Sequence, residues 1–211
     1  MGFYESRVLP RFIDIALGKQ VEPTRARVAA ALSGDVLEVG FGSGRNVRHY
    51  PGTVAKVFAI EPAGGGRKIA APRVAASRVP VEYIGLDGAV VALADESVDH
   101  VLITWSLCTI PDVRSALSEV HRVLRPGGSL HFVEHGRSPH TKAAKWQDRV
   151  TPVWKHVFGG CHLNRPIPDL ITDAGLTMSE LRTYSDKGPE TIARMYEGVA
   201  VKRTNEGATN A

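Results

Sequence analysis

The sequence predicts an α/β protein, an open and mostly parallel sheet with helices on both faces and an antiparallel hairpin at one edge. Three observations carry that expectation. Short apolar runs alternate with helix-like stretches through most of the chain, as parallel strands joined by crossover helices do. One of those runs, residues 36–39, leads straight into Gly40, Gly42 and Gly44, a turn whose glycines allow positive φ and close approach of backbone to a ligand. The last third breaks the alternation, with two strand-like runs divided only by residues 185–189.

The elements follow in order. Residues 8–17 are apolar at helical spacings and predict a lid over a ligand pocket. The alternative is an interfacial helix touching a membrane surface, for which the stretch carries few basic residues. Helices are expected at 24–32, 45–50, 66–76 and 113–124, and strands at 36–39, 54–60, 81–84, 98–105 and 129–133. Residues 142–155 read as a helix with two tryptophans, interrupted by Pro152. A short helix at 166–174 ends on Gly175, a left-handed cap, and strands at 176–184 and 193–202 form the hairpin. At 211 residues the chain suits one domain, taken as 1–203 with lid helices in 1–32; the small polar stretch 204–211 reads as a flexible tail.

Composition removes several classes of function. The chain is 43% apolar, far above a disordered protein, yet no apolar run approaches the roughly 18 residues of a membrane span. The opening Met1-Gly-Phe-Tyr-Glu5 does not read as a secretory leader. Two cysteines support neither a disulfide framework nor a zinc site, so a reducing, cytoplasmic setting is expected. The formal charge of +4 is small and its basic residues are dispersed, which predicts no nucleic-acid partner.

The glycine turn narrows the ligand. Gly-x-Gly-x-Gly stands where a dinucleotide site has Gly-x-Gly-x-x-Gly, with Arg45 at the position of the last glycine. No Gly-x4-Gly-Lys-Ser/Thr occurs, so a phosphate-loop nucleotidase is excluded. Glu38 adds negative charge before the turn and suits a ligand with a cationic group. Glu61 ends the second strand 21 residues after Gly40, followed by Pro62, where an acid can accept both hydroxyls of a ribose. A helix opening near Arg45 would aim free amides at the same ligand.

With these pieces in view, the chain resembles the class I S-adenosylmethionine-dependent methyltransferases of the type 11 group. The resemblance rests on Glu38-x-Gly40-x-Gly42-x-Gly44, Ile60-Glu61-Pro62, Asp87-Gly88, Asp99-His-Val-Leu102 and Leu117 through Gly128. It implies a Rossmann-like domain with a seven-stranded sheet and S-adenosylmethionine as cofactor. The turn from Gly40 to Asn46, with Phe41, would pack on the cofactor's methionine part, and Glu61 would hold its ribose. Asp87 would accept from the adenine amine near the Gly88 amide, and Thr104, Trp105 and Ser106 would face the methyl end. The chain departs from the group's pattern at Gly88-Ala89 and Val91-Ala92, where many relatives carry Ala-Glu and Leu-Pro. A narrower resemblance, to the methyltransferase-like alkyl thiol S-methyltransferases, rests on Trp105 through Pro111, Phe132-Val-Glu-His135, Trp146-Gln, Pro152-Val-Trp-Lys-His156 and Gly159 through Arg165.

That resemblance implies a small apolar acceptor, a thiol sulfur being favoured over a quinone precursor or a phospholipid amine, with the protein a monomer or homodimer. A thiol must lose its proton near pH 8.5 before attack, which a histidine can assist. His135, at the end of the fifth strand, is the expected base, with His156 and His162 behind it. Phe41, Trp105, Trp146 and Trp154 are the expected aromatic walls, and Cys161 in its glycine-rich loop is a candidate contact for the acceptor. His131 and His135 share a strand face, but no further ligand at suitable spacing completes a metal site. Two other classes remain: a nicotinamide-dependent oxidoreductase, which lacks its third glycine and a Tyr-x3-Lys pair, and a cofactor-binding protein without catalysis.

Overall fold

The computed structural model describes residues 18–186 and 188–204; the expected lid at 8–17 and the tail from 205 lie outside them. Seven strands form one sheet: β1 (Gly34–Val39), β2 (Val54–Ile60), β3 (Val81–Gly85), β4 (Val98–Thr104), β5 (Leu124–His135), β6 (Thr177–Ser185) and β7 (Arg194–Val201). Their order is β3-β2-β1-β4-β5-β7-β6. The first five pair in parallel, and β7 runs antiparallel to both β5 and β6. The chain runs outward from β1 through β2 to β3, then returns to the other side of β1 as β4. That reversal opens a crevice at the carboxyl ends of β1 and β4, where such sheets bind ligands.

The strand period sorts the core onto two faces. Leu37, Val39, Val101, Ile103 and Phe132 face one cluster, and Val36, Leu102 and Val133 face the other. Helices α3 (Val113–Val123) and α5 (Ile167–Asp173) cover the first face. On α3, Val113, Ala116, Leu117, Val120 and Val123 are buried at spacings of three and four, and Asp112 caps its start by accepting from the Ser115 amide at 3.1 Å. Helices α1 (Glu22–Ala29) and α2 (Gly64–Ala75) contribute Val28, Ala29 and Ala70 to the second face. The remaining α-helices among the described residues are α4 (Thr141–Val157) and the short α6 (Glu190–Ala193). Gly175 ends α5 with φ +90°, as its sequence position predicts.

Two expectations about elements are corrected. Residues 45–50 form no α-helix, only a 3₁₀ turn over Val47–His49. The buried Asn46 side chain is bonded to Glu38, Thr104 and Arg25, which holds the chain in successive tight turns. Pro152 does not interrupt α4. Thr151 Oγ1 donates to the Gln147 carbonyl at 2.7 Å, and buried Gln147 binds the Ser138 amide and the Gly136 and Thr191 carbonyls. Tertiary anchoring on that side holds the helix through the residue that ordinarily breaks it.

Candidate active site

A cavity of about 720 Å³ opens at the crevice between β1 and β4. Its floor is the glycine turn. Gly40, Gly42 and Gly44 take φ of +78°, +57° and +72°, and the Gly40 and Phe41 amides both donate to the Ile60 carbonyl at 3.0 Å. A Cβ on Gly40 would stand 1.9 Å from Ser106 Oγ, whereas one on Gly42 would meet no protein atom nearer than 3.8 Å. Gly42 therefore borders open space on the cavity side, the position from which a ligand approaches backbone.

Glu61, 6% exposed, projects from the end of β2. Its carboxylate accepts from the Gly42 amide at 2.6 Å and the Ala63 amide at 2.7 Å. Burial raises its pKa, and those two amides and the nearby Arg67 oppose the rise. Asp87 and Gly88 border the same cavity; Asp87 Oδ1 accepts from the Ala89 amide at 2.9 Å. Thr104, Trp105 and Ser106 close it at the end of β4, with Thr109, Ile110, Pro111, Gly159 and Gly160 beyond. Trp105 has φ +52°, a left-handed turn held by Glu134. The buried Glu134 carboxylate accepts from the Ser106, Leu107 and Cys108 amides at 2.6, 2.9 and 3.3 Å; burial pushes its pKa up to about 7.

The structure thus gathers Gly40, Phe41, Gly42, Glu61, Pro62, Asp87, Gly88, Thr104, Trp105 and Ser106 around one cavity. Glu38 and Asn46 stand behind the wall instead. Glu38, expected to meet a cationic ligand group, is occupied: Oε1 accepts from Asn46 at 2.9 Å and Oε2 from the Tyr50 hydroxyl. Burial raises its pKa to about 7. Gly44 packs on Ala70 and Phe41. Of the residues expected around the acceptor, Phe41 and Trp105 border the cavity, whereas His135, Trp146, Trp154, His156, Cys161 and His162 do not. Trp146 is 39% exposed on α4, Trp154 stacks on Phe158 at 4.0 Å, and His156 is exposed. His135 is buried, its Nε2 without a partner and its Nδ1 3.9 Å from Cys161 Sγ. His131 does not converge with it; it bonds Ser129 and packs on His100.

Sequence reading missed Arg25. This buried residue of α1 borders the cavity, donates to Asn46 Oδ1 at 2.8 Å and Thr104 Oγ1 at 3.2 Å, and lies 4.6 Å over the Trp105 ring. Nothing local in the sequence marks it, because its partners lie 21 and 79 residues away. Glu134 was equally silent, although its neighbour His135 drew attention.

Comparison with known proteins agrees with this geometry. Residues 37–132 match the family described as the methyltransferase domain. Over that span the chain carries a methyltransferase domain. It is 38% identical over 138 residues to thiol S-methyltransferase TMT1B of Rattus norvegicus, covering 62% of this chain and 54% of that protein. To human thiol S-methyltransferase TMT1A it is 36% identical over 138 residues, with the same coverage. The match spans about half the length of these curated relatives. Among solved structures, a geranyl diphosphate methyltransferase superposes with a TM-score of 0.69 at 14% identity, covering 89% of this chain and 78% of that one.

The residues present fit the family's cofactor, S-adenosylmethionine. Gly66 packs tightly against the turn, since a Cβ there would fall 3.0 Å from the Gly42 carbonyl. Gly88 leaves room beside Val39, which a Cβ would enter at 2.9 Å. Glu61 borders the same cavity, its carboxyl carbon 3.4 Å from where a Cβ on Gly66 would stand. Among the described residues, no three His, Cys, Asp or Glu side chains gather as a metal site, and no helix is long and apolar enough to cross a membrane.

Proposed function

We propose that this protein transfers a methyl group from S-adenosylmethionine to the sulfur of a small apolar thiol. The observation that carries the reading is the Glu61 carboxylate held against the Gly42 amide inside the cavity at the sheet's reversal. An acid at that point accepts ribose hydroxyls, and the open side of Gly42 admits the cofactor's amino-acid end. When bound, S-adenosylmethionine supplies an electrophilic methyl on a sulfonium. The protein's contribution is to align two partners and exclude water. Asp87 is suited to receive the adenine amine, and Thr104, Trp105 and Ser106 to border the methyl.

The thiol preference is supported by the thiol S-methyltransferase relatives and by the apolar far wall of Ile110, Pro111, Gly159 and Gly160. His135 is the candidate base: its Nε2 is buried without a partner, and Cys161 at its Nδ1 adjoins the Gly159–Gly160 wall. Calorimetric titration with S-adenosylhomocysteine, with NADH as comparison, tests the cofactor; micromolar binding of the first alone is expected, and binding of NADH alone overturns the reading. A panel of thiols, quinols and amines with labelled cofactor then tests the acceptor. His135→Ala is expected to lower thiol methylation at least tenfold with S-adenosylhomocysteine affinity unchanged; full activity removes His135 from the reaction.

A further inference from the structure

Two thiols outside the proposed reaction stand side by side behind the apolar end of the cavity. Cys108 lies in the turn after β4 and is 4% exposed. Cys161 is half-buried and follows Gly159 and Gly160, which border the cavity. Both are free. The His162 amide donates to the Cys108 carbonyl at 2.8 Å, and a Cβ on Gly160 would come within 3.3 Å of the Thr109 carbonyl. These contacts set residue 161 against residue 108, close enough for each thiol to shift the pKa of the other. A structural disulfide demands this kind of backbone proximity, with Cα atoms within about 7 Å.

The two sulfurs are chemically unlike. The neighbouring Cys108 thiol, with His135 Nδ1 at 3.9 Å, outweighs burial and lowers the Cys161 thiol to about 5. Cys108 moves up, through the neighbouring Cys161 and its own burial. A stabilised thiolate beside the cavity with a buried thiol in reach is the pairing that attacks and resolves disulfides.

We propose that Cys161 and Cys108 form a redox-active dithiol that takes up a low-molecular-weight disulfide, Cys161 attacking and Cys108 resolving. First, the Cys161 thiolate attacks one sulfur of the small disulfide. The Cys161–S–S–R bond forms, the R–S–S–R bond breaks, and one thiolate leaves. Cys108 then attacks Cys161 Sγ; the protein disulfide forms, the mixed disulfide breaks, and the second thiol departs with the Cys108 proton. The two cysteines lose two electrons, and the small disulfide is reduced to two thiols. The crosslink ties the 159–161 loop to the turn after β4, both at the acceptor side, and leaves the glycine turn and Glu61 untouched.

The test exposes the full chain to oxidised glutathione and reads intact mass and non-reduced peptides. Folded protein is expected to lose two hydrogens, yield a Cys108–Cys161 crosslinked peptide and retain no glutathione. Cys108→Ser should stop at one glutathione adduct on Cys161, and Cys161→Ser should carry none over the same exposure. Two adducts on the folded protein, no reaction, or a Cys161→Ser protein that reacts at Cys108 at the unsubstituted rate would each overturn the proposal. If either serine variant loses S-adenosylhomocysteine affinity, the crosslink in the unsubstituted chain decides alone. The oxidised form is expected to keep that affinity and lose at least tenfold in thiol methylation, restored by dithiothreitol. The mass readout stands apart from the methylation reading, so failure of one is distinguishable from failure of the other.

Discussion

Gly42 and Glu61 meet through one short hydrogen bond, and two substitutions separate what each does. Gly42→Val adds bulk on the side that meets no protein atom nearer than 3.8 Å and forces a β-branched residue to φ +57°. S-adenosylhomocysteine affinity should fall beyond detection by calorimetry, and unchanged affinity would remove the turn from the site. Glu61→Gln turns one acceptor oxygen into a donor facing an amide that already donates. Charge-assisted bonds of this type contribute about 1.5–3 kcal/mol, so affinity should drop roughly tenfold or more. Both residues were legible in the sequence because a glycine pattern and an acid at a strand end are local features. Glu38 is equally conspicuous, but its partners are not. Its environment is made by Asn46 and Tyr50 folding back over it, which residue type alone does not announce.

At the level of elements, α4 holds the clearest departure from local rules. A proline inside a helix costs about 3 kcal/mol relative to alanine, yet α4 continues through Pro152 because Gln147 and Thr151 anchor its buried side. Pro152→Ala, at an exposed position, should therefore raise stability by about 1–3 kcal/mol in urea unfolding; a loss would mean the proline shapes the helix usefully. The antiparallel hairpin and its place at the sheet edge were readable, but the order of its two strands was not. It is β7 that docks on β5, with β6 outermost, and Gly198 makes the pairing close: a Cβ there would lie 2.2 Å from the Glu180 carbonyl and 3.1 Å from Phe132 Cζ. The 3₁₀ turn in place of a helix at 45–50 has the same origin, since Asn46 finds buried partners only when β1 and β4 are adjacent.

For the molecule as a whole, burial of Glu38 and Glu134 makes stability depend on pH. Both carboxyls are raised from an ordinary value near 4.5 to about 7. The folded state therefore binds more protons than the unfolded chain between those limits, and stability falls as pH rises through the window. Their contribution is fully present below about pH 4.5 and lost above about pH 7. Urea midpoints measured from pH 5 to 8 should decline, and Glu134→Gln should flatten the decline while lowering stability throughout. An unchanged slope would show that Glu134 is ionised in the folded protein.

The sequence by itself determined the strand–helix alternation, the glycine turn, the acid after β2 and the resemblance to a methyltransferase, because each is written in residues near one another along the chain. Hydrophobic period and glycine φ are local physics. Only the tertiary structure decided which of those residues border the cavity. It moved Glu38 and Asn46 behind the wall, brought Arg25 in from α1 and set Cys161 against Cys108. Those outcomes depend on contacts between residues tens of positions apart, and they exist only once the sheet has reversed its strand order.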